Sequence, residues 1–97
     1  MKTFKDLEFF DDEDMQGIYA YELFDNNFGV SVIKNPYSHG GRQGLYEVAV
    51  IYMSPEMKES QIHYNNPVAQ GDVIGRLTED EVSEVMERVY NLNIDEL

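Results

Sequence analysis

Two histidines, a run of four carboxylates and a glycine-rich segment are the places where this sequence could do chemistry. His39 and His63 are the only histidines, and a long apolar stretch separates them. A catalytic imidazole needs a reacting group in reach and a third group to orient it. Ser31, Ser38, Ser54 and Ser60 show no nucleophile-elbow context, so no triad emerges. The chain has no cysteine and no HxxxH spacing, which leaves the two histidines a poor metal set. Carboxylate pairs of the glycosidase kind carry no information either, because 19 Asp and Glu among 97 residues bring carboxylates together by composition alone. The chain reads as a binding protein without cofactor or metal, and not as an enzyme.

The acidic run is Asp11, Asp12, Glu13 and Asp14. Set on a calcium loop, Asp12 and Asp14 take the first and third positions and Gly17 the sixth. Leu23 then falls where a bidentate Glu is required and Gln16 takes the fifth position, so the register fails. A solvated or partner-facing acidic loop is the remaining reading. The second candidate is residues 37–44, where Gly40, Gly41 and Gly44 let the backbone approach a ligand and Arg42 offers a bidentate anion contact. No Gly-Lys-Ser/Thr and no following helix complete a nucleotide motif. A turn with glycines at positive φ competes with a recognition edge made by Tyr37, His39 and Arg42.

Charge narrows the partners. Against the 19 acids stand seven Lys and Arg, a formal net charge of −12. Nucleic-acid binders draw much of their affinity from counterions released by Lys and Arg, so direct DNA or RNA binding is disfavoured, as are anionic membranes. A basic protein surface is attracted and its encounter steered. The start of the chain turns acidic where a signal peptide needs an apolar run, and no apolar stretch approaches the ~20 residues of a membrane span. The expectation is one cytoplasmic domain over residues 1–97 with one modest core.

The elements that position these residues follow from periodicity and turn chemistry. Residues 1–16 read as an irregular acidic lead-in. Residues 17–24 are rich in aromatic and apolar side chains, and Asp25, Asn26 and Asn27 then supply a hairpin turn. The return strand, residues 28–34, places Phe28, Val30 and Val32 on one face, the expected core face. Residues 45–53 are apolar on both faces and read as the central strand. A short strand is expected near residues 61–64, after a polar stretch at 56–60. Thr78 and Glu81 form a capping box, with Leu77 and Val82 as its hydrophobic staple. The helix they start carries Val82, Val85, Met86 and Val89 at i, i+3, i+4 and i+7, leaving Glu79, Asp80, Glu84 and Glu87 outside. Three or four antiparallel strands in a meander, with this C-terminal amphipathic helix on one face, make a two-layer α+β fold. Tyrosines left outside among the carboxylates would make an acidic-aromatic surface suited to protein contact.

Four pieces of the chain, taken in order, resemble a group of small proteins encoded by tailed bacteriophages. They are Phe28-Gly29-Val30-Ser31-Val32, Pro36-Tyr37-Ser38-His39-Gly40-Gly41, Gly44-Leu45-Tyr46-Glu47-Val48-Ala49-Val50 and Asp72-Val73-Ile74-Gly75, followed by an acidic helix. The likeness covers residues 24–92 and implies a phage accessory protein in the host cytoplasm; no settled activity comes with it. In that setting the leading expectation is a binder that inhibits or modulates a host protein with a basic surface by presenting nucleic-acid-like charge. Its contacts are expected at Asp11, Asp12, Glu13 and Asp14 and at Glu79, Asp80, Glu84 and Glu87. A small-anion or nucleotide-signal binder using residues 37–44 and a homo-oligomeric structural component stay open as alternatives.

Overall fold

Alternation with a period of two through the strongest strands gives one sheet with a dry face. The computed structural model describes residues 1–56 and 58–97; Met57, inside the polar stretch at 56–60, lies outside the described residues. The strands are β1 (Phe10–Asp12), β2 (Gly17–Leu23), β3 (Phe28–Lys34), β4 (Tyr46–Met53), β5 (Ser60–Ile62) and β6 (Ile74–Leu77), and the helix is α1 (Glu79–Tyr90). All pairings are antiparallel, in the order β1-β2-β3-β4-β5, with β6 also on β4. The α+β meander with a C-terminal helix is as the sequence implies.

Register decides which side chains share the dry face. Val30 pairs with Val50 and Val32 with Val48, while Ala20 lies opposite Val32 from the other side. Phe28, Val30 and Val32 are fully buried, as expected, against Val82, Val85, Met86 and Val89 of α1. Burying a side chain of this kind stabilises by about 1.5–3 kcal/mol, more than most single caps. The helix start is as its sequence signature predicts. Thr78 Oγ1 accepts from Glu81 N (3.2 Å) and Glu81 Oε1 accepts from Thr78 N (2.9 Å), and Leu77 and Val82 are both buried in the core.

Among the described residues six strands stand where three or four were expected. Residues 1–16 are also more ordered than an irregular lead-in: Phe4–Asp6 forms a 3-10 turn and β1 pairs with β2. Phe4, Leu7 and Phe9 pack against the core beside the helix, so tertiary burial orders a segment whose charges conceal it. The second addition, β6, carries Gly75 and a left-handed Arg76 (φ 57°), which hides it from a propensity reading.

β5 and β6 share one edge of β4. Ile62 pairs with Ile51, His63 N donates to Val50 O (2.8 Å), and the edge resumes with Ile74 opposite Val48. Residues 64–73 leave this edge and return, and buried Asn66 holds the excursion together. Its Oδ1 accepts from Val68 N (3.0 Å) and Ala69 N (2.8 Å), and its Nδ2 donates to His63 O (2.9 Å) and lies 3.0 Å from His63 Nδ1. Val68 and Ala69 are thereby pressed into the core. Asn66→Ala leaves two buried amides and a carbonyl without their partner and is expected to cost about 2–3 kcal/mol. Asn65→Ala, at an exposed neighbouring position, is expected to stay within about 0.5 kcal/mol of the parent. Urea unfolding of the two variants checks this; equal midpoints would show that Asn66 does not organise the loop.

Candidate functional site

The acidic run sits on a hairpin. Asp11 and Asp12 belong to β1, Glu13 and Asp14 to the turn that follows, and Gln16 closes the turn with a left-handed backbone (φ 56°). Asp12 has a local task, since its Oδ1 accepts from Met15 N (3.2 Å). Asp11, Glu13 and Asp14 are exposed and make no side-chain hydrogen bond among the described residues.

Register brings this hairpin tip to the same end of the sheet as the helix start. Asp12 lies opposite Gly17, Ile18 opposite Lys34, Ile33 opposite Glu47 and Tyr46 opposite Leu77, which immediately precedes Thr78. Glu79, Asp80 and Glu81 therefore share an end with residues 13–16. Glu84 and Glu87 lead away from it along the exposed side of α1. Among the described residues Lys2–Glu22 (3.1 Å) is the single ion pair that joins a carboxylate to Lys or Arg. Even Arg88, four residues after Glu84, turns its Nη2 to Pro67 O (3.3 Å) instead.

The glycine-rich connection is built around buried Asn35. Its Oδ1 accepts from Tyr37 N (2.8 Å) and Ser38 N (2.9 Å), and its own N donates to Ser38 Oγ (2.9 Å). A Cβ on Gly41 would collide with the Asn35 carbonyl, and Gly40 has φ 86°, so both glycines are required by the turn. The amides of Ser38, Gly41, Gln43, Gly44 and Leu45 all donate to carbonyls of the same connection, so these are not free to cradle an anion.

Tyr37, His39 and Arg42 are all exposed, yet they do not converge. His39 packs against Gly75 of β6 and turns Nδ1 to Glu47 Oε1 (3.0 Å), which also accepts from His39 N (3.0 Å). Arg42 goes the other way, donating Nε to Pro36 O (3.1 Å) and bordering a cavity of about 320 Å³ with Gln16, Ile18 and Lys34. In that cavity wall Lys34 lies over the Tyr46 ring, 4.8 Å from its centroid. His39 and His63 remain apart, and among the described hydrogen bonds neither imidazole meets a hydroxyl.

A surface that no single motif marks is the sheet face opposite the helix. Three cross-strand rows make it: Phe10, Tyr19, Ile33 and Glu47; then Tyr21, Ser31 and Ala49; then Leu23, Gly29, Ile51 and Ile62. Phe10 and Tyr19 have ring centroids 5.8 Å apart, and Tyr19 and Tyr21 stack at 6.1 Å. Tyr21 is 66% exposed, Phe10 and Ile62 48% each. The signal for this face was the doubled apolar pattern of residues 45–53 and the alternate tyrosines of β2.

Comparison with models of known protein families, with curated proteins and with solved structures yields no match. Fold and surface together define a two-layer α+β domain with one uncovered aromatic sheet face and an acidic end. No helix among the described residues is long and apolar enough to cross a membrane.

The acidic end includes a group with a shifted titration. Hydrogen bonds from Thr78 N and then Thr78 Oγ1 hold the Glu81 carboxyl below its ordinary value of 4.5. A depressed folded-state value means that the cap's contribution is complete above the ordinary value and is lost as pH falls through the lowered one. The stability difference between the parent and Glu81→Gln, measured by urea unfolding at high salt to screen general repulsion, is expected to be constant from neutral pH down to about 4.5. Below that it should shrink; a difference unchanged in acid would exclude the charged cap as its source.

Proposed function

We propose that the chain is a non-enzymatic accessory protein that binds a basic surface of a host protein and inhibits or modulates it. The observation that carries this reading is charge left without a partner. Asp11, Glu13, Asp14, Glu79, Asp80, Glu84 and Glu87 are all exposed, and none of them is in an ion pair among the described residues. In a chain of net charge −12, such a field raises association rates with cationic surfaces and repels nucleic acid.

The helix supports the mimicry of nucleic-acid charge in outline. Asp80, Glu84 and Glu87 stand four and three residues apart along one exposed stripe, about one charge per ~5 Å of axis at the ~1.5 Å rise of a helix. One strand of duplex DNA carries one per ~3.4 Å. The stripe is sparser than a phosphate backbone but long enough to meet two or three cations of a nucleic-acid-binding groove. In the phage setting that the four-piece resemblance implies, that partner would be a protein of the host cytoplasm.

A second reading, a small-anion or nucleotide-signal binder, is favoured by the cavity that Lys34 and Arg42 border. The anion would be held by side chains, because most amides of the connection are internally bonded. A thermal-shift screen against nucleotides separates the readings, since a ligand at 100 times its dissociation constant adds about 2.7 kcal/mol. That gain should vanish in Arg42→Ala.

For the leading reading, the test is capture from infected-host lysate followed by titration of the identified partner. Affinity is expected to fall steeply with salt. Neutralising Asp11, Glu13 and Asp14 to their amides should slow association about tenfold at low salt. Absence of any partner, or binding indifferent to salt, removes the electrostatic reading.

A further inference from the structure

The uncovered sheet face carries a more specific inference. A sheet with two apolar faces leaves one of them wet when a single helix covers the other, and exposed apolar patches of this kind mark interaction sites. Here the patch has shape as well as composition. Ser31 and Ala49 lie opposite each other in adjacent strands and form a low floor. The Phe10–Tyr19–Ile33 row flanks it on one side, exposed Leu23 and Ile62 with buried Ile51 between them on the other, and Tyr21 stands at its end. Exposed aromatic side chains beside a floor of small ones supply rigid anchors at low entropic cost.

Charge selects the occupant. The three rows contain no Lys or Arg, and the ionisable carboxylates on this face are Asp12 and Glu47. The hairpin tip with Glu13 and Asp14 continues from its Asp12 corner. A second copy of the chain would bring two bodies of net charge −12 together, with no Lys or Arg in the three rows of either copy to offset them. Nucleic acid could stack on the tyrosines but would meet the same field. We propose that this face docks a cationic amphipathic segment of a partner protein, its apolar stripe on the Tyr21–Ser31–Ala49 row and its Lys or Arg residues toward Asp12 and the hairpin tip. This rests on the reading of the chain as an acidic binder and adds where the partner is held.

The test uses a synthetic leucine–lysine peptide with its leucines at i, i+3, i+4 and i+7, and a scrambled peptide of identical composition and charge. Backbone amide shifts of the labelled full chain are recorded during titration. The amphipathic peptide is expected to shift Tyr21, Ser31, Ala49 and Ile62 in a saturable way and to bind at least tenfold more tightly than the scramble. Tyr21→Ser, a change at an exposed position, should reduce that preference about tenfold while leaving the urea midpoint in place. Equal binding of both peptides, with shifts confined to α1 and residues 13–16, would overturn the docking face and leave the acidic reading standing. No binding of either peptide at low salt would remove both. A dimer in light scattering that Tyr21→Lys dissociates would assign the face to a second copy, and binding of oligothymidylate with shifts at Tyr19 and Tyr21 would assign it to nucleic acid; either result overturns the proposal.

Discussion

One short helix must cover one face of a broad sheet, and the rest of the structure is arranged around that mismatch. The twelve residues of α1 reach ~18 Å at ~1.5 Å per residue, and a helix with its side chains is only ~10–12 Å across. Five strand positions at ~4.8 Å spacing make a sheet wider than that. The helix rests on β3 and β4, where Val30, Val32, Val48 and Val50 are buried, and other segments have to finish the layer. Phe4, Leu7 and Phe9 fill one flank, with Phe4 edge-on to Tyr46 at 5.0 Å, and Phe4 N donates to Ser83 Oγ (2.9 Å) to tie this segment to the helix. Val68 and Ala69, delivered by the Asn66 loop, also join the core. The helix exit is fastened by Asn26, whose Nδ2 donates to Val89 O (3.0 Å) and Leu92 O (2.8 Å).

The same mismatch dictates where the charge goes. A dry layer assembled from so many segments has little room for carboxylates, because an unpaired buried charge is costly. Glu22, opposite Val30 in the register, enters it only with Lys2 at 3.1 Å. About half of the other acids lie on the β1–β2 hairpin, at the helix start and along the outer side of α1. Some serve locally: Asp6 accepts from Thr3 N (2.8 Å), Asp12 from Met15 N, and Glu81 from Thr78 N. Among the described residues the side chains of Asp11, Glu13 and Asp14 take part in no such bond, nor do those of Glu84 and Glu87, and these are charges left to act at a distance.

What could be read from the sequence was what is decided locally. The capping box, the Val82–Val89 stripe and the core face of β3 each depend on residues within a turn or on strict alternation, and each stands as expected. Two short strands, β1 and β6, escaped the sequence reading because they exist only through their partners, whereas the short strand expected near residues 61–64 stands as β5. β1 contains two aspartates, and β6 a glycine and a left-handed arginine, so neither has a propensity of its own. Nothing local in the sequence marks Asn35 and Asn66 as buried hubs, since the bonds they make follow from the path of the chain around them. Periodicity identified two apolar faces in residues 45–53 but could not say which the helix would take. The wet face was present in the sequence as Tyr19 and Tyr21, without a sign that it would stay uncovered.

Under the proposed reading, the acidic end and the uncovered face divide the work of recognition. Exposed charge governs encounter and its salt dependence, whereas packed apolar anchors govern how long a complex lasts. The two surfaces are contiguous because Asp12 and Phe10 point to the same side of β1, and Phe10 begins the aromatic row that continues through Tyr19. A cationic partner drawn to the hairpin tip thus arrives at the edge of the apolar rows rather than at a remote part of the molecule. Charge alone would give a rapid but short-lived association, and an uncharged apolar face would invite self-association in its place. A net charge of −12 on a domain with one wet apolar face opposes that outcome, so the acidity that attracts a basic partner also keeps the face free to receive it.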